Sequence, residues 1–181
     1  ISINSKKIKK RNLFVCIKGK NKDGHDFISE AIDKGASYYV SSQKAQLYKR
    51  KKISYENTNL FLKKIGKTKR EKFNAKIIAI TGSAGKTSLK FLIAKLLIFF
   101  GDTYFSPKSY NNQIGVPLSL SNLKFTDNYG VFEVGMSKKG EIKNLSNIVK
   151  PDVAIITNVA EAHIENFHDL KGIASAKAEI I

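Results

Sequence analysis

A glycine-rich turn between an apolar run and a helix-like segment carries the clearest chemistry in this sequence. The turn follows the apolar run KIIAIT at residues 76–81. Glycine lets backbone N–H groups approach phosphate oxygens closely, and the start of a helix adds partial positive charge. Lys86 can reach the outer phosphates, and the Thr87 hydroxyl can ligate Mg²⁺. The stretch predicts a nucleotide-phosphate site formed by Thr81, Gly82, Ser83, Ala84, Gly85, Lys86, Thr87 and Ser88.

The glycine spacing of this turn departs from the general phosphate-loop pattern. That pattern has a further glycine at position 80, where this chain has Ile80. The remaining motif, G-x-x-G-K-T, is short, and a glycine turn without a ligand is the simplest alternative. Its position between a buried strand and a helix nevertheless favours phosphate binding.

Two further side chains follow predicted strands later in the chain. Glu133 is the acidic residue of GVFEVG at 130–135. A carboxylate at a strand end beside a phosphate loop is a natural Mg²⁺ ligand, because open α/β sheets bind ligands at the carboxyl ends of their strands. His163 follows DVAIITN at 152–158. On its own it is more often a structural histidine, and so is His168.

The pattern of apolar residues predicts an α/β protein. Strands are expected at 13–19, 37–40, 76–81, 130–135 and 152–158, and helices at 27–35, 87–100, 115–123, 140–149 and 170–181. Such alternation indicates a mostly parallel sheet flanked by helices, preceded by a small α/β domain. The lysine-rich stretch 67–75 is predicted to be a linker or surface helix. The predicted domains are therefore 1–70 and 71–181.

The charge of the chain is strongly positive, at +17 over 181 residues. Of 32 basic residues only three are arginine, the residue whose planar fork suits base and phosphate recognition. The lysines therefore favour a solvated face and an attraction for small anionic substrates over a nucleic-acid partner.

The single cysteine, Cys16, indicates the cellular compartment. It cannot form an internal disulfide, which favours a reducing compartment such as the cytoplasm. The longest apolar run, FLIAKLLIFF, is about half of a membrane span and contains Lys95, so no membrane insertion is expected. The N-terminus shows no secretion signal. With Met136 as the only methionine and an end inside a helix-like pattern, a fragment is expected.

Four spaced segments together resemble the Mur ligase family. They are ITGSAGKTS, YNNQIGVPLSL, FEVGMSKKGEI and ITNVAEAHIENFHDLKGIASAKAEI. The first segment has the short glycine spacing that is usual in this family. The segment NSKKIKKRNLFVCIKGKNKDGHDFISEAIDKGA is similar to the family's small N-terminal uridine-nucleotide-binding domain. The resemblance covers nearly the whole chain except about residues 41–72.

The resemblance implies an ATP-dependent amide ligase of peptidoglycan precursor synthesis. ATP would phosphorylate the carboxylate of a UDP-N-acetylmuramoyl-peptide, and the amine of D-Ala-D-Ala would attack the resulting acyl phosphate. Lys86 would neutralise phosphates, while Thr87 and Glu133 would hold one Mg²⁺. His163 and a carbamylated Lys177 would hold a second. The catalytic set is therefore Lys86, Glu133, His163 and Lys177.

The same resemblance implies the substrate contacts. Asn111 and Asn112 match the motif that lines the substrate side of the nucleotide site. In the first domain, Ser5 is retained in INSK, where Lys6 replaces the family's usual arginine and loses its bidentate geometry. The residues expected to contact the uridine diphosphate are Ser5, Lys18, Gly19 and His25. The family's first strand and its C-terminal domain are expected to be missing, so the chain alone should bind rather than turn over. A monomer is expected.

Two other functions remain open at this point. One is the family member that adds a diamino acid, because acceptor choice depends largely on the C-terminal part. The other is a nucleotide-dependent binding module that uses the basic face on nucleic acid; its binding would fall steeply with salt.

Overall fold

The structure, a computed structural model, describes residues 1–44, 47–162, 164–167 and 169–181. The chain divides into two compact units, Ile1–Lys64 and Ile65–Ile181. The sequence places the boundary at residue 70. Both positions lie within one helix, Thr58–Glu71, which contains most of the stretch predicted as a linker or surface helix.

The first unit contains a three-stranded parallel sheet and a short helix. The strands are β1 (Leu13–Val15), β2 (Tyr38–Ser41) and β3 (Lys52–Ser54), in that order across the sheet, and the helix between β1 and β2 is α1 (Ile28–Asp33). Gly35, at φ +100°, allows the turn out of α1. Cys16 is fully buried beside Phe14 and Tyr39, and this burial, followed by the charge of Asp23, raises the pKa of its thiol to about 12.

The second unit is built on a four-stranded sheet whose described pairings are all parallel, as the sequence predicts. Helix α2 (Thr58–Glu71) precedes it. Its strands are β4 (Lys76–Thr81), β5 (Thr103–Phe105), β6 (Tyr129–Glu133) and β7 (Val153–Ile156), and their order across the sheet is β5-β6-β4-β7. Its helices are α3 (Lys86–Leu97), α4 (Gly115–Ser121), α5 (Glu141–Val149) and α6 (Leu170–Ala178).

Strand β4 is buried on both faces, which is why it reads as a continuous apolar run. Successive side chains point to opposite sides of a strand. Ile77 and Ala79 pack into a core with residues of α4, α5 and α6, whereas Ile78 and Ile80 pack against α3. The α/β prediction with helices flanking a parallel sheet is confirmed.

The sequence missed two short strands and misjudged some helix ends. Strands β3 and β5 have only three residues each, too few to show a periodicity. Helix α3 ends at Leu97, three residues before the predicted end, because the chain tightens into a turn before Gly101. Among the described residues, no helix is both long enough and apolar enough to cross a membrane.

Candidate functional site

The loop between β4 and α3 has the backbone of a phosphate-binding turn. Gly82 (φ +147°) and Gly85 (φ +78°) adopt conformations that favour glycine, and Gly85 directly precedes α3. Lys86 begins this helix, and its ammonium donates to the Gly82 carbonyl at 2.7 Å. The loop therefore brings a lysine ammonium and a helix N-terminus together, which is an arrangement suited to phosphate.

The two ends of the predicted loop are placed differently. Thr81 is buried as the last residue of β4, and within the described part of the chain its hydroxyl has no hydrogen-bond partner. Ser88 lies exposed in the first turn of α3.

The chain after β7 holds this loop in place, which sequence reasoning missed. The Thr157 hydroxyl donates to the Ala84 carbonyl at 2.6 Å. The side-chain oxygen of Asn158 accepts from the N–H groups of Ser83 and Ala84, at 3.1 and 2.9 Å. These polar residues directly follow a strand that neighbours β4 in a parallel sheet. Because the carboxyl ends of parallel strands lie at the same edge of the sheet, the position of these residues after a strand could have predicted their contact with the loop.

Glu133 lies at the centre of the hydrogen-bond network beside the loop. It is the last residue of β6 and almost fully buried. The Thr87 hydroxyl donates to its Oε2 at 2.7 Å, and the Asn111 amide donates to its Oε1 at 2.7 Å. The structure therefore brings together three residues that the sequence singled out separately.

Lys90 is a fourth member of this network and was not predicted. Its ammonium lies 3.7 Å from Glu133 Oε2 and donates to the carbonyl of Lys108. Burial lowers the pKa of Lys90, and the neighbouring Glu133 counteracts part of that effect. The signal in the sequence was its spacing. Lys90 lies four residues before the buried Ala94, on the face of α3 that meets the sheet.

The pair of oxygen atoms on Thr87 and Glu133 fits a magnesium ion. Mg²⁺ prefers hard oxygen ligands, and neighbouring ligands in an octahedron with bonds of 2.0–2.1 Å lie about 2.9 Å apart. The observed separation of 2.7 Å is close to that spacing. Among the described residues there is no cluster of three or more His, Cys, Asp or Glu side chains that could hold a metal, so this pair would rely on water and phosphate oxygens to complete a coordination shell.

A cavity of about 320 Å³ opens beside the loop, and several predicted residues line it. Gly82, Ser83 and Lys86 of the loop are among its lining residues. Asn111 and Asn112 line it as well, although the side-chain oxygen of Asn112 also accepts from the N–H groups of Ile114 and Gly115 at the start of α4.

Lys177 reaches the same cavity from α6. It is only 3% exposed, and burial, followed by the positive charge of Lys86, lowers the pKa of its side chain. A buried amine with a lowered pKa is more often neutral and nucleophilic than a surface lysine. His163, predicted beside it, lies outside the described residues.

The residues predicted to bind substrate in the first unit fall into two groups. Lys18 forms an isolated antiparallel bridge with Asp23, and the ring of His25 contacts the Asp23 carboxylate at 2.5 Å, so Lys18, Gly19 and His25 belong to one turn region. His25 also lines a cavity of about 240 Å³. Ser5 is engaged separately, since its hydroxyl donates to Glu30 at 2.6 Å.

Comparison with known protein families identifies the family to which the chain belongs. The model for the Mur ligase middle domain matches residues 80–181, which include the phosphate loop, Glu133 and Lys177. The chain belongs to the Mur ligase family. A second model of this family, described as its catalytic domain, matches residues 1–80.

Two similar relatives are named for the same enzymatic activity. The UDP-N-acetylmuramoyl-tripeptide–D-alanyl-D-alanine ligase of Rickettsia prowazekii is 42% identical over 99% of this chain and 40% of its own length. The Escherichia coli ligase of that name is 34% identical over the same shares. This member of the Mur ligase family therefore spans about 40% of the length of these curated relatives.

Solved structures of the family have the same fold. A crystal structure of MurF from Acinetobacter baumannii matches with a TM-score of 0.87 and 32% identity, over 98% of this chain and 39% of that one. MurF ligase from Thermotoga maritima in complex with ADP matches with a TM-score of 0.84 and 34% identity, over 99% of this chain and 42% of that one.

Proposed function

We propose that this chain is the ATP- and UDP-peptide-binding part of an ADP-forming amide ligase. It serves peptidoglycan precursor synthesis by joining D-Ala-D-Ala to UDP-N-acetylmuramoyl-tripeptide. The observation that carries this proposal is the pairing of Thr87 with Glu133 at the end of a phosphate loop, on a cavity that Lys86 and Lys177 also reach. The names of the similar relatives favour D-Ala-D-Ala over a diamino acid as the acceptor.

The reaction has two steps, and each needs charge neutralisation. A carboxylate oxygen of the tripeptide attacks the γ-phosphorus of ATP, the bond to the β-phosphate oxygen breaks, and ADP leaves. The amine nitrogen of D-Ala-D-Ala then attacks the acyl carbon, inorganic phosphate leaves, and the nitrogen loses a proton. Activation is necessary because a free carboxylate is a poor electrophile, and two anionic reactants must be held together.

The residues of the loop supply much of this neutralisation. Lys86 lies within 2.7 Å of the Gly82 carbonyl, so its ammonium is already at the loop where outer phosphates would lie. Thr87 and Glu133 would hold one Mg²⁺ through the oxygen pair 2.7 Å apart. Mg²⁺ bound there would stabilise the negative charge that develops on the phosphate oxygens.

Lys177 would act as a carbamate in this proposal. Its buried amine can add CO₂ with loss of a proton, and the carboxylate so formed would serve with His163 as a ligand of a second Mg²⁺. The support is its burial, the lowered pKa of its side chain and its place on the cavity beside Lys86.

Substrate contacts are assigned to both units. Asn111 and Asn112 would contact the peptide side of the nucleotide site. In the first unit, Lys18, Gly19 and His25 would contact the uridine diphosphate, and Ser5 would join them if its bond to Glu30 opens. The substrates ATP and UDP-linked peptide, together with a single buried thiol, fit a cytoplasmic enzyme. A monomeric state stays a prediction.

Phosphate release by the full-length protein tests the proposal. With ATP and UDP-N-acetylmuramoyl-tripeptide, we expect phosphate only when D-Ala-D-Ala is added, and none from K86M protein. Release that instead requires the dipeptide precursor and a diamino acid would show that the protein is the ligase that adds a diamino acid. No release with either acceptor, together with salt-sensitive binding of nucleic acid, would overturn the proposal.

A further inference from the structure

Lys90 is a buried cation in a position where the pattern of α3 calls for an apolar side chain. Its side chain is fully buried, and Ala94, one turn later on the same face of the helix, packs against the sheet. A buried ammonium costs several kcal/mol unless an opposite charge and hydrogen bonds compensate it. An aliphatic residue would fill this space without that cost, so the charge itself requires an explanation.

Lys90 contacts two parts of the site: the carboxylate of Glu133, which is a proposed magnesium ligand, and the neighbouring loop 106–112. On one side it lies 3.7 Å from Oε2 of Glu133, the same oxygen that accepts from Thr87. Thr87 and Lys90 are three residues apart on α3, so one face of the helix presents both groups to a single carboxylate. The Lys90 ammonium thus limits the positions that this carboxylate can adopt.

On the other side Lys90 holds the loop 106–112. Its ammonium donates to the carbonyl of Lys108, a non-glycine residue at φ +48°, where an L-residue is strained. The same loop carries Asn111, whose amide donates to Glu133 Oε1 and whose carbonyl accepts from the Gly135 N–H at 2.8 Å. Lys90 therefore contacts both the Glu133 carboxylate and the loop whose Asn111 donates to that carboxylate.

We propose that Lys90 is a positioning residue that fixes the Glu133 carboxylate and the loop 106–112 against α3, and thereby sets the Thr87–Glu133 oxygen pair. The part of this inference that concerns magnesium rests on the proposed function, whereas the part that concerns the loop does not. Lys90 itself touches neither substrate nor the transferred phosphoryl group in this proposal.

The first test measures the loop by hydrogen exchange in the full-length protein. Lys90→Met removes the ammonium and keeps the length of the stem, and Lys95→Met is the matched control because Lys95 is exposed on the same helix. We expect the amide of Gly135 to exchange about tenfold faster or more in K90M than in the original chain and in K95M. Equal exchange rates in all three proteins would overturn the proposal.

The second test asks whether Lys90 acts through Glu133. In urea unfolding, E133Q leaves a buried cation without its counter-charge, so K90M/E133Q should unfold at a higher urea concentration than E133Q alone. Independent, additive effects of the two substitutions would contradict the proposal. If K90M alone does not fold, the double variant decides: recovery of the fold supports the pair acting as a unit, and failure counts against it.

The third test separates this inference from the proposed function. ADP binding is measured with and without MgCl₂ for the original chain, K95M and K90M. We expect K90M to need about tenfold more Mg²⁺ while its metal-free ADP binding stays within about twofold, which a general loosening of the fold would not produce. An unchanged Mg²⁺ requirement would refute the positioning of the oxygen pair. If the original chain binds no ADP at all, the proposed function is in doubt, and the exchange and unfolding tests still decide the role of Lys90.

Discussion

The Thr87 hydroxyl donates a 2.7 Å hydrogen bond to Oε2 of Glu133, so the first turn of α3 and the end of β6 meet at one pair of oxygen atoms. Strand β6 pairs directly with β4, the strand that leads into the phosphate loop. This adjacency brings a carboxylate to the loop although the two residues are far apart in the sequence. A hydroxyl and a carboxylate so placed can share one hard cation beside a nucleotide.

Replacing Thr87 by valine tests this pair, because valine keeps the shape and removes the oxygen. We expect T87V to lose most of the Mg²⁺-dependent part of ADP binding, about tenfold in affinity, while metal-free binding changes little. The measurement is a calorimetric titration of ADP with and without MgCl₂. Thr126→Val is the control, since Thr126 is exposed. Identical Mg²⁺ dependence in T87V and T126V would remove Thr87 from the proposed metal site.

Lys177 offers a second prediction, because burial and the charge of Lys86 lower its pKa. Only the neutral form of an amine adds CO₂, and a lowered pKa makes that form more accessible, so ¹³C-labelled bicarbonate should give a carbamate NMR signal in the full-length protein and none in K177A. Turnover of K177A should fall by about a hundredfold or more, with partial rescue by short carboxylic acids. Full activity of K177A would eliminate the carbamate from the mechanism.

Much of this site could be predicted from single segments of the sequence. Gly82, Gly85, Lys86 and Thr87 lie within one short turn, and Glu133 ends an apolar run, so their types and local positions indicate phosphate and metal chemistry. The parallel sheet could be predicted as well, because its longer strands are buried runs between helical patterns.

The remaining features depend on contacts between distant segments, which no local pattern encodes. Lys90 resembles the many exposed lysines of this chain until α3 is packed against β6. Thr157 and Asn158 look like ordinary loop residues until the pairing of β7 with β4 brings them to the phosphate loop. Strands β3 and β5 are too short for a periodic pattern and form only because a neighbouring strand is available.

Two features of position 82 favour glycine: the positive φ of its backbone and the close approach of Thr157. A Cβ at this position would lie 1.8 Å from the Thr157 hydroxyl oxygen and 3.0 Å from the Thr157 Cβ, and the residue has φ +147°. We therefore expect G82A to lower the free energy of unfolding by about 2–5 kcal/mol. Urea unfolding followed by circular dichroism measures this change.

Gly85 provides the matched control for that measurement. It also has a positive φ, but among the described residues no atom lies within 4 Å of the point that a Cβ would occupy. G85A should therefore cost only the left-handed backbone conformation, about 1 kcal/mol. Adding T157A to G82A should restore part of the loss, since the hydroxyl goes and the Cβ stays. Equal costs for G82A and G85A would show that the contact with Thr157 does not matter.

Asp152 should make the free energy of unfolding of the second unit depend on pH. Burial raises the pKa of this carboxyl, but the hydrogen bonds from the Ile77 N–H (2.8 Å) and Lys76 and the charges of Lys76 and Arg70 outweigh it, so the pKa is lowered overall. A lowered pKa in the folded state stabilises the fold above the unfolded value of about 3.9, and this contribution is lost as the pH falls through the folded value.

Asp152→Asn removes this ionisable group. We expect D152N to be less stable than the original chain by about 1–2 kcal/mol at pH 7, mainly because the N–H of Ile77 then bonds to a neutral acceptor. The Lys76 ion pair should add little, since its ammonium end is largely exposed. Below about pH 4 the difference should shrink, because the Asp152 carboxyl of the unfolded original chain takes up a proton first, and that of the folded chain follows only at lower pH. Urea unfolding over a series of pH values measures this, with the exposed Glu161→Gln as control. A difference that stays constant from pH 7 to pH 3 would mean that D152N acts through packing rather than through charge.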